Sequence, residues 1–288
     1  MPDIVTSACY LCGSTRTRLV KANPDYSYVE CSSCGFRRKD SLPTADEEAG
    51  LYQDDYYNDR GLQVDLDAQS RLMRRLIERR VEKLSELNGG PGRLLDVGAG
   101  TGLFMEAGMR AGWVAEGVDI SAAAVSMARQ ITSANVIQGG LDDVPPKGDF
   151  DAVTMWDVLE HLGDPRAALA RVRTLLRPEG LVGISFPNVG GLRSRLLGTR
   201  WRYFQREIGH ISHFSPGTLR AILEQAGFVV VAIETSGLVN IGKPFGLDPD
   251  AVSEGHALLA TVQAVIDGAP GAFGLGENIV AFARSGSR

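Results

Sequence analysis

The segment Arg93-Leu-Leu-Asp-Val-Gly-Ala-Gly-Thr-Gly102 constrains the fold more than any other part of this chain. An apolar run of strand length feeds a turn carrying Gly98, Gly100 and Gly102, and the turn opens a helical pattern. Glycines on alternate positions let the backbone pass close to a ligand. Dinucleotide binding is the obvious competitor for such a turn. Three features point away from it. Asp96 places a charge inside the strand, two residues before the first glycine, and the spacing is GxGxG rather than GxGxxG. The next apolar run, Trp113-Val-Ala-Glu-Gly-Val-Asp119, ends in an acid placed to accept hydrogen bonds from ribose hydroxyls. Capping of the following helix is better served by Ser121.

Beyond this segment, short apolar runs alternate with helical patterns. Strands are expected over 93–97, 113–118, 134–138, 150–155, 180–185, 228–235 and 277–284, and helices over 102–111, 121–131, 164–176 and 215–226. Alternation of this kind predicts an α/β fold, a Rossmann-like seven-stranded sheet with helices on both faces. An amphipathic helix is expected from Asp65 to Leu87, with Leu72, Leu76, Val81 and Leu84 on its apolar side, stopped by Asn88-Gly89-Gly90-Pro91-Gly92. Residues 41–92 then read as a connector plus this helix, and 238–276 as an insertion holding one helix near 251–267. Domain boundaries are expected at 1–40, 41–92 and 93–288.

The first 40 residues form a different kind of module. All four cysteines of the chain lie there, as Cys9-x-x-Cys12 and Cys31-x-x-Cys34 with 18 residues between. Two CxxC turns at this spacing suit tetrahedral zinc, a closed and structural site. Gly13 and Gly35 follow the second cysteine of each pair, where such a turn needs a permissive backbone. A redox pair and two disulfides are the competing readings. A small zinc-ribbon-like module of this size buries little core, so metal would supply much of its folding energy.

Composition is ordinary for a globular chain, with 44% hydrophobic and 23% charged residues. No run of 18 apolar residues occurs, so no membrane span is expected, and the N-terminus lacks the pattern of a secretory signal. A cytoplasmic enzyme is the expectation. The net charge of −5 argues against a general grip on nucleic acid.

Four runs in order, LLDVGAGTG, GVDIS, DFDAVTMWDVLEHL and LLRPEGLVGISFPN, resemble the class I S-adenosylmethionine-dependent methyltransferases over about residues 65–284. The four-cysteine module in front resembles that of a group that methylates sugars and other small molecules. The resemblance implies S-adenosylmethionine as cofactor. It implies that Asp96, Gly98, Gly100 and Gly102 surround the methionine end and that Asp119 holds the ribose hydroxyls. Ile120 and Leu141 would then pack on adenine, Asp142 would meet its amino group, and Trp156 would lie near the sulfonium.

Candidates for chemistry follow the fourth strand, in Asp157-Val-Leu-Glu160-His161. A base is often needed to deprotonate a methyl acceptor, and His161 titrates near neutrality without help. Glu160 and His161 belong equally to a structural motif of the superfamily. The ubiquinone-biosynthesis O-methyltransferases, which the segment also resembles, imply a further role, with Asp157, Glu160 and His161 holding Mg²⁺. From Arg193 to Phe214, five arginines interleave with Trp201, Tyr203 and Phe204. That stretch, with 187–214 as a whole, reads as a substrate lid for an anionic or glycosylated acceptor, or as a solvated basic helix. His210 is the second candidate base, and His213 is expected to pack beside Phe214. Tyr52, Tyr56 and Tyr57 would close over the cofactor or join the zinc module to the core.

The expected activity is methyl transfer to a small polar acceptor, with oxygen favoured. The competing readings are an RNA methyltransferase gripping through the ribbon and arginine stretch, and a non-catalytic scaffold. Monomer and homodimer are both open.

Overall fold

The computed structural model describes residues 4–5, 8–23, 26–41, 69–204, 209–236 and 274–286. The helix expected near 251–267, the connector tyrosines and Arg206 lie outside them. The chain divides into two units, one of Met1–Ser41, Ser185–Ile222 and Ala232–Ala281, the other of Leu42–Ile184, Leu223–Val231 and Phe282–Arg288.

The strands, in chain order, are β1 (Ile4–Val5), β2 (Arg16–Ala22), β3 (Ser27–Cys31), β4 (Arg37–Lys39), β5 (Arg93–Val97), β6 (Val114–Asp119), β7 (Val136–Gln138), β8 (Phe150–Trp156), β9 (Leu176–Pro187), β10 (Ser212–His213), β11 (Phe228–Ser236) and β12 (Asn278–Ser285). The helices are α1 (Gln69–Asn88), α2 (Leu103–Arg110), α3 (Ala122–Thr132), α4 (Pro165–Leu175), α5 (Leu192–Leu197) and α6 (Pro216–Gln225). Among the described residues, seven strands form one sheet in the order β11-β12-β9-β8-β5-β6-β7. β5 runs parallel to both β6 and β8, and β6 parallel to β7. Leu94, Leu95 and Val97 of β5 and Ala152, Val153 and Met155 of β8 are all buried. Such continuous apolar runs are what a strand covered on both faces requires.

Local chemistry explains the helix limits. Ser121 Oγ accepts from Ala124 N at 3.2 Å and starts α3, as its place in the sequence predicts. Asp164 Oδ1 accepts from the amides of Arg166 and Ala167, with Pro165 at the first position of α4. On α1, Ile77, Val81 and Leu84 are buried, whereas Leu76 is 36% exposed. The apolar stripe is therefore narrower than the sequence periodicity suggests.

β9 begins four residues earlier than expected and carries Glu179 at φ 62°, in the left-handed region. Glutamate has no side-chain route to tolerate this conformation, and glycine does. Glu179→Gly is expected to stabilise the protein by about 0.5–1 kcal/mol, the left-handed relief minus the greater flexibility of unfolded glycine. A raised denaturant midpoint with unchanged slope would show it.

The other unit contains a five-stranded sheet among its described residues, β1-β2-β3-β4-β10. The module expected at 1–40 is thus completed by a strand from the expected lid, with Ser212 opposite Arg38 and His213 opposite Arg37. Lys39 N donates to Ile211 O at 2.8 Å. One buried cluster of this unit is Tyr28, Val189, Trp201 and Phe204, and Phe36 and Phe186 pack on Phe214 in another. Tyr28 Oη donates to the His210 carbonyl at 2.8 Å, and Lys21 Nζ to that of Phe204 at 2.9 Å. Trp201 and Phe204 are fully buried and hold this unit together. His213 packs at 4.5 Å from the Phe204 ring and 4.9 Å from that of Tyr28, where the sequence suggested Phe214.

Candidate active site

The carboxyl ends of β5, β6 and β8 carry the predicted cofactor residues in adjacent strands. Asp96 is 2% exposed, and its Oδ1 accepts from Thr154 Oγ1 of β8 at 2.6 Å. Burial pushes its carboxyl up to about 7; the nearby Asp119 adds to the rise, while the Thr154 hydroxyl and the Arg80 guanidinium oppose it. Gly98 has φ +70°, and a Cβ there would lie 2.5 Å from Val158 Cγ2. Only glycine lets the segment after β8 pack this closely on the loop. Gly100 has φ +54° and nothing within 4 Å of where its Cβ would stand, which leaves an open cradle. Gly102 precedes α2 as its capping residue.

Asp119 organises this loop. Its Oδ2 accepts from Gly100 N at 2.8 Å and its Oδ1 from Ser121 N at 2.9 Å. Each carboxylate oxygen keeps a second lone pair for a ligand hydroxyl. Burial raises the Asp119 carboxyl, and the two amides oppose that rise. Ile120, directly after it, is 49% exposed. After β7, Leu141 and Asp142 lie in a short turn closed by Asp143, whose Oδ2 accepts from Gly140 N at 2.8 Å. The Asp142 side chain is 96% exposed, with Arg171 Nε at 3.5 Å.

A matching model of the family described as "Methyltransferase domain" covers residues 69–233. The chain belongs to this methyltransferase family. It is similar to the ubiquinone biosynthesis O-methyltransferase of Rhodopseudomonas palustris strain BisB5, at 30% identity over 175 residues, 57% of this chain and 68% of that protein. Its fold is that of 1,6-didemethyltoxoflavin-N1-methyltransferase from Burkholderia thailandensis, solved with S-adenosylhomocysteine. The TM-score is 0.56 at 16% identity, over 94% of this chain and 99% of that one. An S-adenosylmethionine-dependent methyltransferase from Archaeoglobus fulgidus gives a TM-score of 0.52 at 23% identity, over 73% and 94%. The chain is a class I S-adenosylmethionine-dependent methyltransferase, an enzyme of class EC 2.1.1. Among the described residues no helix is long and apolar enough to cross a membrane.

Further residues of this methyltransferase surround the tip of β8. The Trp156 indole packs 5.0 Å from the Phe104 ring and 6.1 Å from that of Phe282, and the Arg80 guanidinium lies 4.7 Å over it. Asp157 is exposed and takes φ 56° at the strand end. Glu160 and His161 occupy a short 3₁₀ turn, with His161 Nε2 at 4.0 Å from Glu160 Oε1. Burial, then the charge of Asp157, pushes the Glu160 carboxyl well above the usual carboxylate range. Asp157, Glu160 and His161 do not bring three ligand atoms within 4.8 Å of one another. The set does not fit Mg²⁺.

The four cysteines do come together. Sγ of Cys9 and Cys34 are 3.6 Å apart, those of Cys12 and Cys31 are 3.5 Å apart, and all four lie within 4.8 Å of one another. Zinc–sulfur bonds of about 2.3 Å set tetrahedral S···S edges of about 3.8 Å. The donor set fits zinc. Both turns repeat one geometry, with Gly13 N on Cys9 O at 2.8 Å and Gly35 N on Cys31 O at 2.9 Å. In the same unit His210 is 4% exposed and stacks on Tyr203 at 5.3 Å with rings 6° apart. Arg80 and Thr154 are the site residues that sequence reasoning missed. Nothing separates Arg80 from Arg74, Arg75 and Arg79 in the same helix, and Thr154 reads as one more strand residue.

Proposed function

We propose that the enzyme transfers the methyl group of S-adenosylmethionine to an oxygen of a small polar acceptor in the biosynthesis of a sugar or secondary metabolite. The observation that carries this reading is the pair of strand-end carboxylates, Asp96 and Asp119, on either side of a glycine loop left open at Gly100. When bound, the cofactor supplies an electrophilic methyl group for in-line displacement. Asp96 meets its ammonium group, Gly98, Gly100 and Gly102 give its methionine end close approach to the backbone, and Asp119 accepts from its ribose. Ile120 and Leu141 cover adenine, Asp142 reaches its amino group, and Trp156 stands as a wall near the sulfonium. Oxygen as acceptor is supported by similarity to an enzyme named as an O-methyltransferase. An anionic or glycosylated acceptor is supported by Arg195, Arg200 and Arg202, all exposed in the 187–214 stretch.

His161 takes the acceptor's proton in this reading, with Glu160 beside it and His210 as the second candidate. His161→Ala is expected to lower turnover about a hundredfold while cofactor affinity stays within about twofold. Unaltered turnover would move the base to His210 or remove it from the mechanism. The zinc held by Cys9, Cys12, Cys31 and Cys34 is structural. Residues 1–40, completed by β10, form its module, 41–92 the connector and first helix, and the remainder of 93–288 the catalytic part with an insertion at 238–276.

Transfer of labelled methyl groups from S-adenosylmethionine to a panel of phenols, hydroxy acids, glycosides and amines tests the acceptor class. Label recovered in base-stable ethers of carboxylated or glycosylated members supports the reading. Label only in amines would overturn it.

A further inference from the structure

Tyr28 lies on β3, three residues before Cys31, and is fully buried. Its hydroxyl donates to the His210 carbonyl at 2.8 Å. Burial raises the phenol, so the hydroxyl stays a donor at any working pH. The Tyr28 ring packs 4.9 Å from His213 and 5.1 Å from Phe204. Lys21 Nζ of β2 donates to the Phe204 carbonyl at 2.9 Å, and the Lys39 amide of β4 to that of Ile211 at 2.8 Å. Three strands of the cysteine module therefore grip Phe204 and His210–His213, and each does so at a main-chain carbonyl. The Cys31 amide donates to Phe36 O at 2.8 Å, so the second cysteine turn joins β3 to β4 and sets the spacing of these grips. The His210 ring stacks on Tyr203, 5.3 Å away with the rings 6° apart, and the Arg202 guanidinium lies 4.7 Å over that same Tyr203 ring. A chain of contacts thus runs from the Tyr28 hydroxyl to an exposed arginine of the 187–214 stretch. The residues assigned to the cofactor, Asp96, Gly98, Gly100, Gly102 and Asp119, belong to the other unit.

We propose that Tyr28 is a positioning residue for acceptor recognition. Its hydroxyl fixes the chain at His210, and through the His210–Tyr203 stack it places Arg202. The cysteine module then shapes the acceptor side of the enzyme and leaves cofactor binding alone. The proposal rests on the reading of 187–214 as the acceptor stretch. Without the Tyr28 hydroxyl, the buried His210 carbonyl loses its donor, and the backbone around β10 opens more often.

The test compares the full-length, zinc-loaded wild type with two variants. Tyr28→Phe keeps the ring and removes the hydroxyl, and Lys21→Met removes the grip on Phe204. Amide hydrogen exchange is followed at Lys39 and Val189, which donate to the carbonyls of Ile211 and Phe214 on either side of β10. Gly98, which donates to Val118 O, serves as the control. Tyr28→Phe is expected to speed exchange at Lys39 and Val189 about tenfold and to leave Gly98 within about twofold. Its Kd for S-adenosylhomocysteine stays within about twofold of wild type. KM for the best acceptor of the panel above rises about tenfold with kcat within about twofold, the mark of lost acceptor binding. Lys21→Met moves the same quantities in the same direction by less, because Lys21 is only partly buried and water replaces its bond. Unchanged exchange at Lys39 and Val189 in both variants would overturn the proposal. So would faster exchange with an unchanged KM, and so would equal loosening at Gly98, which means general destabilisation. Wild-type protein that binds S-adenosylhomocysteine but methylates no carboxylated or glycosylated member of the panel would instead overturn the acceptor reading beneath it.

Discussion

Replacing Asp119 by alanine is expected to weaken S-adenosylmethionine binding by more than tenfold, about 1.4 kcal/mol or more. Two losses add. The ribose hydroxyls lose their acceptor, and the amides of Gly100 and Ser121 lose the carboxylate oxygens they now donate to. The Ser121 amide is buried, so its unmet hydrogen bond also lowers the stability of the folded variant. Asp119→Asn keeps one carbonyl acceptor and should fall between the two. Helix α3 should survive in both, because Ser121 Oγ caps it. Calorimetry with both variants checks this, with circular dichroism as the control for folding. An unchanged dissociation constant in the alanine variant would place the ribose elsewhere.

Cys31→Ser should have the larger effect on folding. Cys31 is 3% exposed at the end of β3, and its sulfur is 3.5 Å from that of Cys12. The cluster nearest to β3 in its unit is Tyr28 with Val189, Trp201 and Phe204, and the cysteines lie on the short strands and turns beside it. Structural zinc contributes about 10–16 kcal/mol of apparent binding free energy in small metal modules, so losing a thiolate ligand removes several kcal/mol. The expected result is zinc content falling from one per chain to well below it, with loss of the near-ultraviolet signal of Trp201 and Tyr28. Chelation of the wild type should give the same spectrum. A chelated sample with unchanged spectrum and melting temperature would show that the four cysteines need no metal.

The sheet was legible in the sequence because burial on both faces demands continuous apolar runs, and β5 and β8 supply them. Ser121 and Asp164 mark helix starts by a chemistry that depends on a few neighbouring residues, so both could be read directly. Asp96, Asp119 and the glycine loop were legible for a similar reason, since short spacings fix their places at strand ends. Trp201 and Phe204 were not. An aromatic among arginines reads as a ligand platform, and only the long-range packing with Tyr28 makes it core. Strand β10 is two residues long, too short to leave a periodicity, and it exists because β4 offers it an edge. Arg80 was hidden by its neighbours: four arginines within seven positions of one helix look alike until the fold brings one of them to Trp156. The metal reading of Asp157, Glu160 and His161 came with the resemblance to the ubiquinone-biosynthesis O-methyltransferases, which carries residue types and not their geometry. Asp157 ends a strand in the left-handed region while the other two sit in the following turn.

The most direct test of the whole account is calorimetric titration of the zinc-loaded protein with S-adenosylmethionine and with S-adenosylhomocysteine. The expected result is one site per chain, micromolar affinity for both, and more than tenfold loss of each in Asp119→Ala. A folded, zinc-loaded protein that takes up neither would contradict the placement of the cofactor at the ends of β5 and β6.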